Sequence, residues 1–139
     1  MTKSLKIKAF VIAVIAVAVI LIINSFYQGF REPRVRIDGN RLIIQTPNGI
    51  TLDIQDIREV RLLQEIPTLT RVGGFGVLST QRGQVRTSQF GNGLAFVRLN
   101  PPPYIFLELR TVYNYVILNL HDAENTQTLY EDIRLWLNG

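Results

Sequence analysis

The chain has 139 residues, room for one ordinary domain, and 47% of them are apolar, which excludes an intrinsically disordered chain. Its formal charge of +4 belongs to the N-terminal tail: Lys3, Lys6 and Lys8 are the only lysines, while from Arg31 onward 12 arginines face 11 acidic residues. A body so close to neutral lacks the electrostatic footprint of a nucleic-acid binder, and the absence of cysteine excludes disulfides, thiolate nucleophiles and cysteine metal sites.

The first element is a membrane anchor. Ala9 to Ile23 is an unbroken apolar run containing 11 Ile, Val, Leu or Phe residues, each contributing about −0.3 to −0.6 kcal/mol to insertion. Leu5 and Ile7 lengthen it upstream while Lys6 and Lys8 snorkel, and Phe26 and Tyr27 occupy the interfacial aromatic positions downstream. Leu5 to Tyr27 as a helix reaches about 34 Å, enough for a hydrocarbon core of about 30 Å. A cleaved signal peptide shares the basic flank and apolar centre, but no small-residue cleavage site of the A-x-A kind follows. Residues 1–29 therefore read as a retained single-pass anchor and 30–139 as one domain. Charges flank both ends of the run; because a long domain translocates largely regardless of charge, the domain is expected on the extracytoplasmic side.

Beyond Gly29 the pattern changes to a period of two. Strands are predicted at Arg34–Ile37, Leu42–Thr46, Ile50–Ile54, Arg58–Gln64, Gln84–Gln89, Leu94–Leu99, Tyr104–Arg110 and Tyr115–Leu120. Asp38-Gly39, Asn48-Gly49, Asn92-Gly93, the Pro101–Pro103 triplet and Asn114 supply turns between them. Pro67 to Gly83 reads as one long loop. The period shifts again at the end: Thr126, Leu129, Tyr130, Ile133, Trp136 and Leu137 share an arc of about 120°, and Asp122 is placed to cap the helix. The fold class is thus all-β with a C-terminal α-helix: about seven antiparallel strands curled into a small barrel or sandwich, one end plugged by the helix.

The runs Asp56–Leu63 (DIREVRLL), Arg71–Val77 (RVGGFGV), Arg82–Arg86 (RGQVR), Val116–Leu120 (VILNL) and Thr128–Ile133 (TLYEDI) resemble the bacterial pleckstrin-homology-like families. The resemblance covers roughly Arg34 to Leu137 and implies a seven-stranded, strongly bent barrel capped by a helix, in a family often tethered to a membrane helix. It carries no residue-level site. Eukaryotic relatives of that fold bind lipid headgroups through a basic pocket near the first hairpin, whereas Leu42 to Ile54 here holds Asp53 as its one charged residue.

Chemical constellations are sparse. Gly73-Gly74-Phe75-Gly76 lacks the Lys, the Ser or Thr and the following helix that a phosphate-binding loop requires, and reads as loop glycines with positive φ. His121 is the single histidine and has neither metal-ligand companions nor a nucleophile motif, so it reads as a surface residue at the helix start. Asp53, Asp56 and Glu59 fit neither calcium-loop spacing nor a glycosidase pair, and read as solvated strand ends. The expectation is a non-enzymatic protein without metal or cofactor, a binding or scaffolding module that docks a protein or peptide at the membrane surface. The alternative is an accessory subunit of a larger membrane complex, assembled through an anchor with small residues at Ala9, Ala13 and Ala16. The candidate docking surface is the long loop: Phe75 and Leu78 as apolar anchors, with Arg71 and Arg82 at its base as a polar rim.

Overall fold

A computed structural model describes residues 3–30, 32–46, 49–73, 75–77 and 80–139, with backbone alone at 25–30 and 75–77. The chain divides into two compact units, 1–31 and 32–139. In the first, α1 (Lys3–Phe30) is a single helix. Its Lys3–Asn24 stretch has a mean hydropathy of 2.8 and none of its apolar window is buried. Those 22 residues reach about 33 Å, long and apolar enough to cross a membrane.

Among the described residues the second unit has ten strands and one α-helix. β1 (Arg34–Asp38), β2 (Arg41–Gln45) and β3 (Ile50–Asp53) form a three-stranded antiparallel meander. A single 3-10 turn, Ile54–Asp56, carries the chain into the second sheet. There β4 (Ile57–Leu63), β5 (Thr70–Arg71), β6 (Phe75–Val77), β7 (Thr80–Thr87), β8 (Gly91–Arg98), β9 (Tyr104–Leu109) and β10 (Tyr115–Leu118) lie in the order β4-β9-β10-β8-β7-β5, with β6 also on β7. Helix α2 (Ala123–Asn138) ends the chain.

This corrects the expected barrel of about seven antiparallel strands in two respects. The strands form two separate sheets, and the second is mixed, because β10 pairs parallel with β8 and antiparallel with β9. The chain leaves β8, skips one strand position through Leu99–Pro103 to lay down β9, then turns back and inserts β10 into the gap. Asn119 secures that crossing. Its buried amide donates to the carbonyls of Arg98 and Pro101 at 2.8 and 3.1 Å, and its oxygen accepts from the Arg98 N–H at 2.8 Å.

Both faces of the second sheet are covered. On one, Leu94, Phe96, Ile105, Leu107, Val116 and Leu118 meet Leu42, Ile44 and Leu52 of the first sheet and Ile133 of α2 in a single core. On the other, Val85, Ala95, Val97, Tyr104, Phe106, Tyr115 and Ile117 are overlaid by Leu63, Ile66, Leu69 and Phe90. Burial on both faces accounts for the near-continuous apolar runs of β8 and β10, in place of clean alternation.

Chain length shows that this sheet must curl. Leu62, Ile105, Leu118, Phe96 and Arg82 form one row across it, Leu63 lies one step beyond, and β5 joins at Arg86 on the opposite side of the row. In a flat sheet Leu63 and Thr70 would be about 29 Å apart. The seven steps of chain between them reach at most about 25 Å. The edges therefore bend towards the Gln64–Leu69 strap, whose Ile66 and Leu69 fill the hollow.

The C-terminal helix follows the sequence reading closely. Asp122 accepts from the N–H groups of Glu124 and Asn125 at 2.7 and 3.2 Å, capping the first turn. Thr126 and Ile133 are buried, and Leu129, Tyr130, Trp136 and Leu137 pack against the first core. Asn92-Gly93, expected as a turn, instead lies inside β8. The chain reverses earlier, where the Thr87 hydroxyl accepts from Phe90 N–H at 2.8 Å and Gly91 takes φ +78°. Gly93 serves a different purpose: a Cβ there would overlap the Tyr115 ring.

Candidate functional site

The long loop expected between Pro67 and Gly83 is largely strand. Three short strand segments, β5, β6 and the start of β7, divide it, because β7 supplies a long edge on which both β5 and β6 pair. Val72 and Gly73 continue this attachment, both donating to the Gln84 carbonyl, at 2.9 and 3.3 Å. Gly73 has no positive φ; that conformation falls instead at Gly83, inside β7, with φ +116°.

The described candidates fall on three adjacent strand segments. Arg71 is exposed on β5, opposite Val85. Phe75 begins β6 opposite Arg82, its backbone alone being described, and Leu78 lies outside the described residues. Arg82 is 4% exposed and shares a sheet row with Phe96, so it forms no solvent-facing rim.

Arg82 belongs to a different grouping that sequence reasoning missed. Burial, reinforced by repulsion from Arg98, lowers its guanidinium to about 10, while Glu32 acts in the opposite direction. Glu32 opens the second unit and accepts the His121 backbone N–H at 2.8 Å, just before α2. Thus the first residue of the folded unit is tied to the β10–α2 turn and lies within electrostatic reach of a buried cation on β7. Nothing in the spacing of 32, 82, 98 and 121 announces this, since the parallel pairing that brings these segments together has no local signal.

The remaining polar candidates have local structural tasks. Asp53 and Asp56 form a reciprocal capping box around the 3-10 turn, Asp53 accepting from Gln55 N–H at 3.1 Å and Asp56 from Asp53 N–H at 3.3 Å. Glu59 and Glu108 stand with Arg58 and Arg61 in loose surface pairs of 3.6–3.9 Å. The Arg61 guanidinium also lies 4.8 Å from the centre of the Phe106 ring. Arg86 donates from Nε to Asn92 directly across the β7–β8 pair, at 2.9 Å. Among the described residues no group of three or more His, Asp or Glu side chains is arranged to hold a metal ion.

No protein-family model, curated protein or solved structure matches this chain. The class that stands on geometry is a curled, mixed β-sheet unit with a C-terminal helix, following an apolar helix of membrane-spanning length.

Proposed function

We propose that the protein is a membrane-tethered, non-enzymatic binding module that docks a protein or peptide partner at the membrane surface. The observation that supports this most is the division of labour along the chain. An apolar helix of membrane-spanning length is followed by a unit that builds two hydrophobic cores of its own. A fold of that kind offers shape and strand edges for recognition. The polar side chains of its turns are largely occupied in capping and bracing. The strand-then-helix order is also what supports placing the unit with the bacterial pleckstrin-homology-like domains, as a divergent form with a parallel β8–β10 pair.

Within this reading the docking surface is the β5–β6 margin: Arg71 supplies the exposed cation, and Phe75 and Leu78 the apolar anchors. Arg82 supports β7 beneath it. A photo-crosslinking residue at position 71, in native membranes, tests the assignment. A discrete protein adduct that Arg71→Glu weakens in a neighbouring-position probe is the expected result. Equal, diffuse labelling from position 71 and from Glu131 on the outer side of α2 would contradict it.

A further inference from the structure

Free strand edges are where a sheet recruits another chain, because their outer N–H and C=O groups are unpaired. Among the described residues β4 is the longest such edge: seven residues, bonded on one side to β9 and to no strand on the other. Its Val60 and Leu62 are only partly buried, although Leu107 and Ile105, their partners on β9, are fully so. Apolar surface and an open ladder thus coincide.

We infer that β4 pairs antiparallel with β4 of a second copy, in the single register centred on Val60. Residues directly opposite in an antiparallel ladder share a face, so a two-fold pairing must be centred on a residue. Centred on Glu59, two carboxylates meet; centred on Arg61, two guanidiniums meet. Centred on Val60, Glu59 of each copy faces Arg61 of the other, twice, while Val60 faces its own counterpart. Opposite charges across a ladder stabilise it and like charges oppose it. The β-bulge of β4 lies between Ile57 and Glu59, leaving the central stretch regular.

Other edges lack this match. Full overlap of the five residues of β1 sets Arg36 against itself. β3 is four residues long with Asp53 as its one charge, and β5 has two residues. The existing ion pairs of Arg61, at 3.6 Å to Glu59 and 3.9 Å to Glu108, are loose and partly exposed, and its place over the Phe106 ring lies on the same face as the proposed Glu59 contact. Since β4 and β5 lie at opposite ends of the sheet order, self-pairing leaves the β5–β6 margin open.

Charge exchange in the purified full chain, in mild detergent, tests the register. The wild type should sediment as a dimer, and Glu59→Arg or Arg61→Glu alone should weaken association by roughly tenfold or more. Mixing the two variants should restore it as a heterodimer, as should the double exchange in one chain. The chain has no cysteine of its own, so Glu59→Cys mixed with Arg61→Cys should give a disulfide-linked pair that Glu59→Cys alone does not. A monomeric wild type overturns the inference. So does a dimer that both single exchanges leave intact, which would place self-association in α1 or another edge. These outcomes are read without any external partner and are independent of the docking assignment.

Discussion

The indole N–H of Trp136, in the last turns of α2, donates to the carbonyl of Gly39 at 2.8 Å, closing a contact across 97 residues. Gly39 holds φ +59° in the β1–β2 turn, so this bond fastens the helix to the tip of the first sheet while Ile133 fills the core beside β4 and β9. Trp136→Phe keeps an aromatic ring and removes the donor. Urea unfolding of the detergent-solubilised chain should show a loss of about 0.5–1.5 kcal/mol. A change within error would mean that the Gly39 carbonyl is equally well served by water.

Close approach governs a second position. The Tyr115 ring stacks on Phe106 with centroids 5.4 Å apart, reaches Gly91 with its hydroxyl at 3.0 Å, and lies over the bare Cα of Gly93. Gly93→Ala should therefore cost about 1–3 kcal/mol through overpacking. Combined with Tyr115→Leu, which opens the same space, the loss should be smaller than the sum of the two single losses. Additive losses in thermal unfolding would show that the two residues do not compete for space.

Arg82 gives a prediction with a pH sense. Its pKa is lowered to about 10 in the fold, well below the ordinary guanidinium value, so the unfolded chain holds this proton more firmly than the native one. The resulting penalty is complete below about pH 10 and is relieved only as pH rises towards the unfolded value. At neutral pH it amounts to up to about 3 kcal/mol, the opposing pull of Glu32 already included. Arg82→Met, similar in reach and uncharged, should leave the neutral-pH unfolding midpoint unchanged or raise it. A marked fall would show that the Glu32 side of the balance dominates.

Membrane orientation is open to a direct reading. The sequence expectation puts residues 32–139 outside the cytoplasm, so a phosphatase fused after Gly139 should be active and a cytoplasm-only fluorescent reporter dark. The reverse pattern would invert the topology while leaving the fold unaffected.

Much of this architecture was legible in the sequence, for reasons that differ between elements. The anchor and α2 announce themselves through composition and period, and Asp122 marks the start of α2 because capping is a local event. The β1–β2 hairpin is equally local, with Asp38-Gly39 opening its turn. The parallel β8–β10 pair is not, since a strand's apolar pattern records that it is buried and not which neighbour buries it. Asn92-Gly93 misled for the same reason: the demand for glycine comes from Tyr115, more than twenty residues away. Arg82 reads from the sequence as a loop-base cation because nothing near it in the chain reveals that β5 and β6 pair with β7 or that its side chain is buried.

In the proposed function, binding resides in the folded unit and α1 serves only as a tether. Replacing residues 3–24 with an unrelated single-pass helix of the same orientation, then crosslinking in native membranes, tests it most directly. The chimaera should give the same partner adducts as the wild type, at similar yield, and lose them on Arg71→Glu. Adducts that vanish with the natural anchor, while the unit remains folded, would contradict it and make the protein a subunit assembled through its membrane helix.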